Sequence, residues 1–289
     1  MQPTFYLDAP SLVFRAFFAL PKTITDDRDR PVNAVRGFME MVTRLIVDRR
    51  PARIVSVLDA DWRPQFRVDA YAGYKSERPE DPPELAHQFD IIAEVLDAAG
   101  IVRAETPGLE ADDVIATLVD NVAEHDRAVV VSGDRDLLCL VRDPHVRVLF
   151  PLRGTKEMTD FDEAAVTTAY GVRPQQYGEF AMLRGDPSDG LPGVPGVGPK
   201  TAVTLLTKYG SIPGIYEHLD ELSPRQRSAF DDSRDYLDAM KTVVGLVYDA
   251  DVVSTQPGAP DTQKLTELAE RYNLGSSAAR LAQAIRSER

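Results

Sequence analysis

Three short apolar runs, separated by stretches of helical periodicity, constrain the fold of this 289-residue chain most strongly. Phe5-Tyr6-Leu7 ends in Asp8. Ile54-Val55-Ser56-Val57-Leu58 ends in Asp59, and Ala128-Val129-Val130-Val131 leads through Ser132-Gly133 to Asp134. The second and third have the β-branched character of strands buried on both faces. Between the first two, Ser11 precedes an amphipathic stretch to Leu20 that carries Arg15. Asn33 is then placed to cap a helix from Ala34 to Asp48, which would bury Val35, Phe38, Met39, Val42, Leu45 and Ile46. Strands alternating with helices predict an α/β fold with a mostly parallel central sheet flanked by helices. In such sheets ligands sit beyond the carboxyl ends of the strands, the edge on which Asp8, Asp59 and Asp134 fall.

Gly108–Asp113 brings Glu110, Asp112 and Asp113 directly ahead of an apolar helical run containing Val114, Ile115, Leu118, Val119 and Val122. Alone, an acidic first turn only complements the helix dipole. Joined by the acids at the strand ends and by Asp136, the group cannot stay ionised without cations. The histidines (His87, His125, His145, His218) are scattered singly and Cys139 is the only cysteine. Oxygen-only ligation of this kind predicts a hard divalent ion, Mg²⁺ or Mn²⁺, and argues against zinc.

A net charge of −13 disfavours nucleic acid unless the acids concentrate in a cleft or the bases segregate onto one face. The stretch after Asp59 offers such segregation. Trp62, Arg63, Gln65, Phe66, Arg67, Tyr71, Tyr74, Lys75 and Arg78 mix cations with aromatics, as single-strand contact surfaces do, although Glu77, Glu80, Asp81 and Glu84 dilute them. Past Phe161 the chain is predominantly helical. Gly185–Gly190 adds Asp186 and Asp189, and Gly196-Val197-Gly198-Pro199-Lys200 before a helical Thr201–Tyr209 predicts a hairpin whose backbone N–H groups form an anion site. Further helices are expected within Leu222–Leu246, over Thr262–Tyr272 and over Ser276–Arg286. The single cysteine suits a reducing cytoplasm, and no signal peptide or membrane-length apolar run is present.

These residues resemble the 5′-nuclease of bacterial DNA polymerase I and its relatives, the flap endonucleases, from Phe5 to about Asp251. The motifs are YKSERP (Tyr74–Pro79), GLEADD (Gly108–Asp113), SGDRD (Ser132–Asp136) and GDPSDGLPGVPGVGPKTA (Gly185–Ala202), in the family's order and spacing. The resemblance implies nine metal-binding carboxylates: Asp8, Asp59, Glu110, Asp112, Asp113, Asp134, Asp136, Asp186 and Asp189. It implies two or more Mg²⁺ or Mn²⁺ ions, a helical arch at about 62–84, and Arg67 and Lys75 gripping the scissile phosphate, with Tyr74 and Arg15 facing substrate. Gly193, Gly196, Val197, Gly198, Lys200 and Thr201 would form a helix-hairpin-helix on duplex phosphates, where relatives often hold K⁺. The expected divisions are a nuclease core over 1–170, a DNA-binding region over 171–250 and a C-terminal helical segment over 251–289 packing on the core.

The activity implied is that of a free-standing, monomeric 5′-flap endonuclease and 5′-3′ exonuclease, cytoplasmic and acting at the nucleoid. Its substrate would be branched or nicked DNA with a 5′ single-stranded flap, with RNA 5′ ends left open. DNA polymerase and ligase are partners expected from the family only. Asp8, Asp59 and Asp112 are assigned to a first ion and Asp134, Asp136 and Asp189 to a second, with Asp112 bridging. Glu110, Asp113 and Asp186 would bind through water or hold a further ion. Ala9-Pro10, Glu77, Arg135 and Gly190 depart from common family residues without removing a ligand. A DNA-binding protein without catalysis and a small-phosphoester hydrolase are the alternatives.

Overall fold

A computed structural model describes residues 2–123, 125–153 and 157–287. Its centre is a seven-stranded sheet built from β1 (Thr4–Asp8), β2 (Arg53–Val57), β3 (Val102–Glu105), β4 (Ala128–Val131), β5 (Val146–Arg153), β6 (Glu157–Phe161) and β7 (Val253–Ser254), in the order β6-β5-β4-β1-β2-β3-β7. The five inner strands run parallel, and β6 and β7 close the two edges antiparallel. Chain order reverses around β1, which lies between β2 and β4. This is the topological switch point where doubly wound sheets open a crevice. The register places Asp8 opposite Val57 and Leu7 opposite Val131, so Asp8, Asp59 and Asp134 emerge side by side at the carboxyl edge.

The helices are α1 (Ala9–Ala19), α2 (Asn33–Arg49), α3 (Gln65–Ala70), α4 (Ala86–Ala99), α5 (Ala111–Asp120), α6 (Glu163–Tyr170), α7 (Tyr177–Arg184), α8 (Pro199–Tyr209), α9 (Ile212–Glu217), α10 (Pro224–Asp232), α11 (Arg234–Val243), α12 (Thr262–Arg271) and α13 (Ser276–Ser287). One core packs α1, α2, α4, α12 and α13 onto Phe5, Leu7, Ile54, Val131 and Leu149 of the sheet. The opposite core joins Val55, Val57, Val130 and Val148 to α5 and to the helical half beginning at α6. β7 returns the chain from that half to the free edge of β3, after which α12 packs on α4 and α13 on α2.

Two local expectations change. Asn33 does not cap α2 but lies inside it, its amide donating to the carbonyls of Phe17 at 2.8 Å and Leu20 at 3.0 Å. This ties the end of α1 to α2, and a buried amide needs such acceptors. The basic segment at 62–84 holds only the short α3 and then continues in turns and irregular chain up to α4, so little of the expected arch is helical. Among the described residues, no helix is long and apolar enough to cross a membrane.

Candidate active site

At the switch point the strand ends are laced together. Asp8 caps α1 by accepting from the backbone N–H of Ser11 at 3.1 Å, and its other oxygen accepts from the Ser132 hydroxyl. The Ser132 oxygen in turn accepts from Asp134 N at 2.8 Å, and Gly133 N donates to Ser11 Oγ at 3.0 Å. A Cβ on Gly133 would stand 2.6 Å from Nη2 of Arg15. The missing side chain therefore lets Arg15 lie across the end of β4. On the other flank, Ala111 N at the start of α5 donates to Asp59 Oδ1 at 2.7 Å. A cleft of about 960 Å³ opens here, with Asp8, Asp59, Asp112 and Asp134 in its wall and Arg15, Lys75 and Arg78 beside them.

The carboxylates crowd one another. Burial pushes Asp8 up to about 7, with Asp134 and Asp59 repelling it and Ser132 partly compensating. Desolvation in the cleft raises Asp59 to about 6 against the hydrogen bond from Ala111, and Glu110 adds repulsion. Asp112 is raised by burial, then by Asp134, Asp8 and Glu110. Asp136 is raised by burial, then by Asp134, Asp189 and Asp186. Desolvation takes Asp189 to about 6, with Lys75 opposing and Asp134 and Asp186 reinforcing. Asp134 acts on four of these groups, Asp8 and Asp112 on one side and Asp136 and Asp189 on the other, while Glu110 acts on Asp59, Asp112 and Asp189. Asp112, the expected bridge, is repelled by Asp134, Asp8 and Glu110.

Such a group holds protons because it lacks counter-charge, and a cation supplies the same neutralisation. The all-oxygen donor set therefore fits Mg²⁺ or Mn²⁺. Among the described residues, no three side chains converge closely enough to chelate an ion as they stand.

Glu110, which also lines the cleft, and the buried Asp113 are both tied to Arg67. Asp113 is fully buried, and each of its oxygens is already engaged. Oδ1 accepts from Arg67 Nη2 at 2.7 Å and Val247 N at 3.0 Å, and Oδ2 from Arg67 Nη1 at 2.8 Å and Glu110 N at 3.4 Å. Glu110 accepts from Arg67 Nη1 at 2.7 Å, from the Tyr74 hydroxyl at 2.6 Å and from Lys75 Nζ. Both carboxylates are thus engaged by protein donors in this structure. Arg67 also donates to the carbonyls of Val243 and Gly245 at 3.0 Å. All five guanidinium N–H groups are thus engaged by protein. Tyr74 is likewise buried, its hydroxyl turned to Glu110 rather than to the cleft.

Lys75 does border the cleft. Its backbone takes a left-handed conformation, with φ 51°, and its N–H donates to the carbonyl of Asp189 at 3.0 Å. The loop around Asp189 approaches so closely that a Cβ on Gly190 would fall 2.4 Å from the carbonyl oxygen of Gly73. Arg78, which the sequence analysis placed in the basic stretch without assigning it a role, is exposed and lines the cleft. Its proximity to Lys75 in the Tyr74–Pro79 motif was the available signal.

The glycine-rich hairpin joins α7 to α8. Gly193 is buried, with φ 73°, and its N–H donates to the Tyr236 hydroxyl at 3.1 Å; Val197 is buried as well. These two are held by packing against the protein. Gly196, Gly198 and Lys200 are exposed and Thr201 is half-buried. No side chain caps α8, whose first residue is Pro199, so the N–H groups of Lys200 and Thr201 face an open helix start.

Residues 3–171 match the family model described as "5'-3' exonuclease, N-terminal resolvase-like domain", and residues 172–268 match "5'-3' exonuclease, C-terminal SAM fold". A 5'-3' exonuclease of Mycobacterium tuberculosis is 43% identical across 98% of this chain and 98% of its own length. One of Streptomyces coelicolor is 42% identical across 95% and 97%. A DNA polymerase I of Mycobacterium tuberculosis is 43% identical across 90% of this chain, which spans 28% of that polymerase. In fold, the chain is similar to the T5 D15 protein co-crystallised with metal ions, with a TM-score of 0.67 at 16% identity over 98% of this chain and 100% of that one. It is also similar to the catalytic core of Rad2 in complex with DNA substrate, with a TM-score of 0.65 at 16% identity over 98% and 92%.

Proposed function

The chain belongs to the 5'-3' exonuclease family, and on that premise we propose that it hydrolyses phosphodiesters near the 5′ ends of branched DNA, cutting 5′ flaps and degrading 5′ ends in replication and repair. The observation that carries this reading is the group of seven carboxylates, Asp134 among them, at the switch point of the sheet and beside a cleft edged by Arg15, Lys75 and Arg78.

In this reading Asp8, Asp59 and Asp112 hold one Mg²⁺ or Mn²⁺ and Asp136, Asp186 and Asp189 hold another, with Asp134 between them. Two such ions, when bound, would supply an activated water and charge stabilisation for the leaving oxygen. Lys75, Arg78 and Arg15 orient the scissile phosphate from the cleft edge, and the pairing of Lys75 N with the Asp189 carbonyl keeps that edge in register with the second carboxylate group. The open start of α8, with Gly196, Gly198, Lys200 and Thr201, holds duplex phosphates away from the cut. No covalent nucleophile is invoked. Burial raises the Cys139 thiol far above its ordinary pKa, with Asp136 and Asp112 adding to the effect, so it is no thiolate.

The products are a 5′-phosphate and a 3′-hydroxyl, the ends that a ligase-type reaction joins. A 5′-labelled flap duplex incubated with Mn²⁺, and with EDTA as control, tests the proposal. Metal-dependent release of the flap with religatable ends is expected. Intact DNA at every divalent ion and pH, with binding preserved, would leave a DNA-binding protein instead.

A further inference from the structure

The network around Arg67 joins three stretches distant in sequence: the basic segment, the start of α5, and residues 243–247 at the end of α11. Arg67 and Lys75 face Glu110 and Asp113, so two cations balance two buried carboxylates. Of the two cations in this group, Lys75 is the one that lines the cleft, beside Glu110. Its ammonium donates to Glu110 and to the carbonyl of Trp62 at 3.3 Å, its remaining N–H has no acceptor among the described residues, and it lines the cleft.

We propose that Arg67 is a positioning residue rather than a DNA contact: by fixing Glu110 it fixes the ammonium of Lys75 at the cleft edge where the scissile phosphate is held. The inference deepens the nuclease reading and rests on it. The brace has two arms. Through Glu110, Arg67 sets the direction of Lys75. Through Val243, Gly245 and the Asp113–Val247 bond, it holds the basic segment against the helical half that carries the hairpin. A cation displaced by about 1 Å from its working position costs on the order of 100-fold in rate. Loss of the brace therefore slows cleavage without removing a phosphate contact.

Salt dependence separates these roles, because each lost phosphate contact lowers the slope of log Kd against log salt by about one. Binding of a 5′-flap duplex in EDTA is measured across a salt series, and single-turnover cleavage is measured with Mn²⁺. The proteins compared are wild type, Arg67→Met, Glu110→Gln, the double variant and Lys75→Ala. The slope should be unchanged in Arg67→Met and fall by about one in Lys75→Ala. Cleavage should slow by ~10–100-fold in Arg67→Met and in Glu110→Gln, with the double variant no slower than the slower single one.

A slope lowered by about one in Arg67→Met overturns the proposal, as does an unchanged slope in Lys75→Ala. Full cleavage rates in either single variant, or losses that multiply, overturn it as well. If Arg67→Met does not fold, Tyr74→Phe carries the test, since it deletes one hydrogen bond to Glu110 and keeps the ring. Roughly fivefold slower cleavage at an unchanged slope supports the brace, and a wild-type rate refutes it. Failure of wild type to cut would refute the nuclease reading itself, while the binding slopes still decide whether Arg67 touches DNA.

Discussion

At the scale of single residues, acids of one chemical type perform two different jobs, and substitution should tell them apart. Asp113→Ala leaves Arg67 buried without its bidentate partner, which should cost about 3–5 kcal/mol in urea unfolding. Asp134→Ala removes one of several mutually repelling carboxylates and should leave metal-free stability unchanged or raised. Equal destabilisation of both variants would contradict the division. Gly133→Ala should displace chiefly the flexible end of Arg15, with Ser11 Oγ also 3.1 Å from the new Cβ, keeping stability within about 1 kcal/mol while slowing flap cleavage about tenfold; unaffected cleavage would remove Arg15 from the site. The carboxylates at the strand ends were legible in the sequence because an Asp after an apolar run marks the carboxyl edge of a parallel sheet. The different fate of Glu110 and Asp113 was not. It depends on Arg67, Val247 and Gly245, which lie tens to more than a hundred residues away in sequence.

At the scale of elements, β1, β2 and β4 could be read because each is a continuous apolar run bounded by polar residues. β3 (Val102–Glu105) offers only four residues with Arg103 and Glu105 among them, and edge strand β6 is largely exposed, so neither carries that pattern. β5 alternates with Arg147 and contains Pro151, which obscures a strand whose inner residues Val146 and Val148 are nonetheless buried. The hairpin was legible from its glycine spacing, but the split between scaffold and surface was not. Gly193 and Val197 are fixed by packing, whereas Lys200 is free. Lys200→Ala should therefore lower the salt slope of duplex binding by about one and weaken binding to different sequences alike, and an unchanged slope would remove this helix start from the interface.

At the scale of the whole molecule, a net charge of −13 becomes compatible with a DNA substrate once acids are gathered in and beside one cleft, where cations would neutralise them. The same crowding makes stability depend on pH. Asp8, Asp59 and Asp189 hold their protons up to about 7, 6 and 6 in the folded protein, against an ordinary value of 3.8, and Asp112 and Asp136 shift the same way. Raised carboxyl groups stabilise the fold fully below the ordinary value and lose that contribution as pH rises through the folded one. The melting temperature in EDTA should therefore fall between about pH 5 and pH 8, and Mn²⁺ should raise it most at the upper end, where the ligands are ionised. A flat profile, or a Mn²⁺ effect largest at pH 5, would contradict the crowded cluster. The most direct test of the central claim, that Asp134 joins the two halves of a metal-dependent nuclease site, pairs cleavage with binding in Asp134→Asn on a 5′-flap duplex. The account predicts cleavage reduced at least ~1,000-fold, with affinity in EDTA held within about threefold. Cleavage at the wild-type rate, or loss of binding together with cleavage, would contradict it.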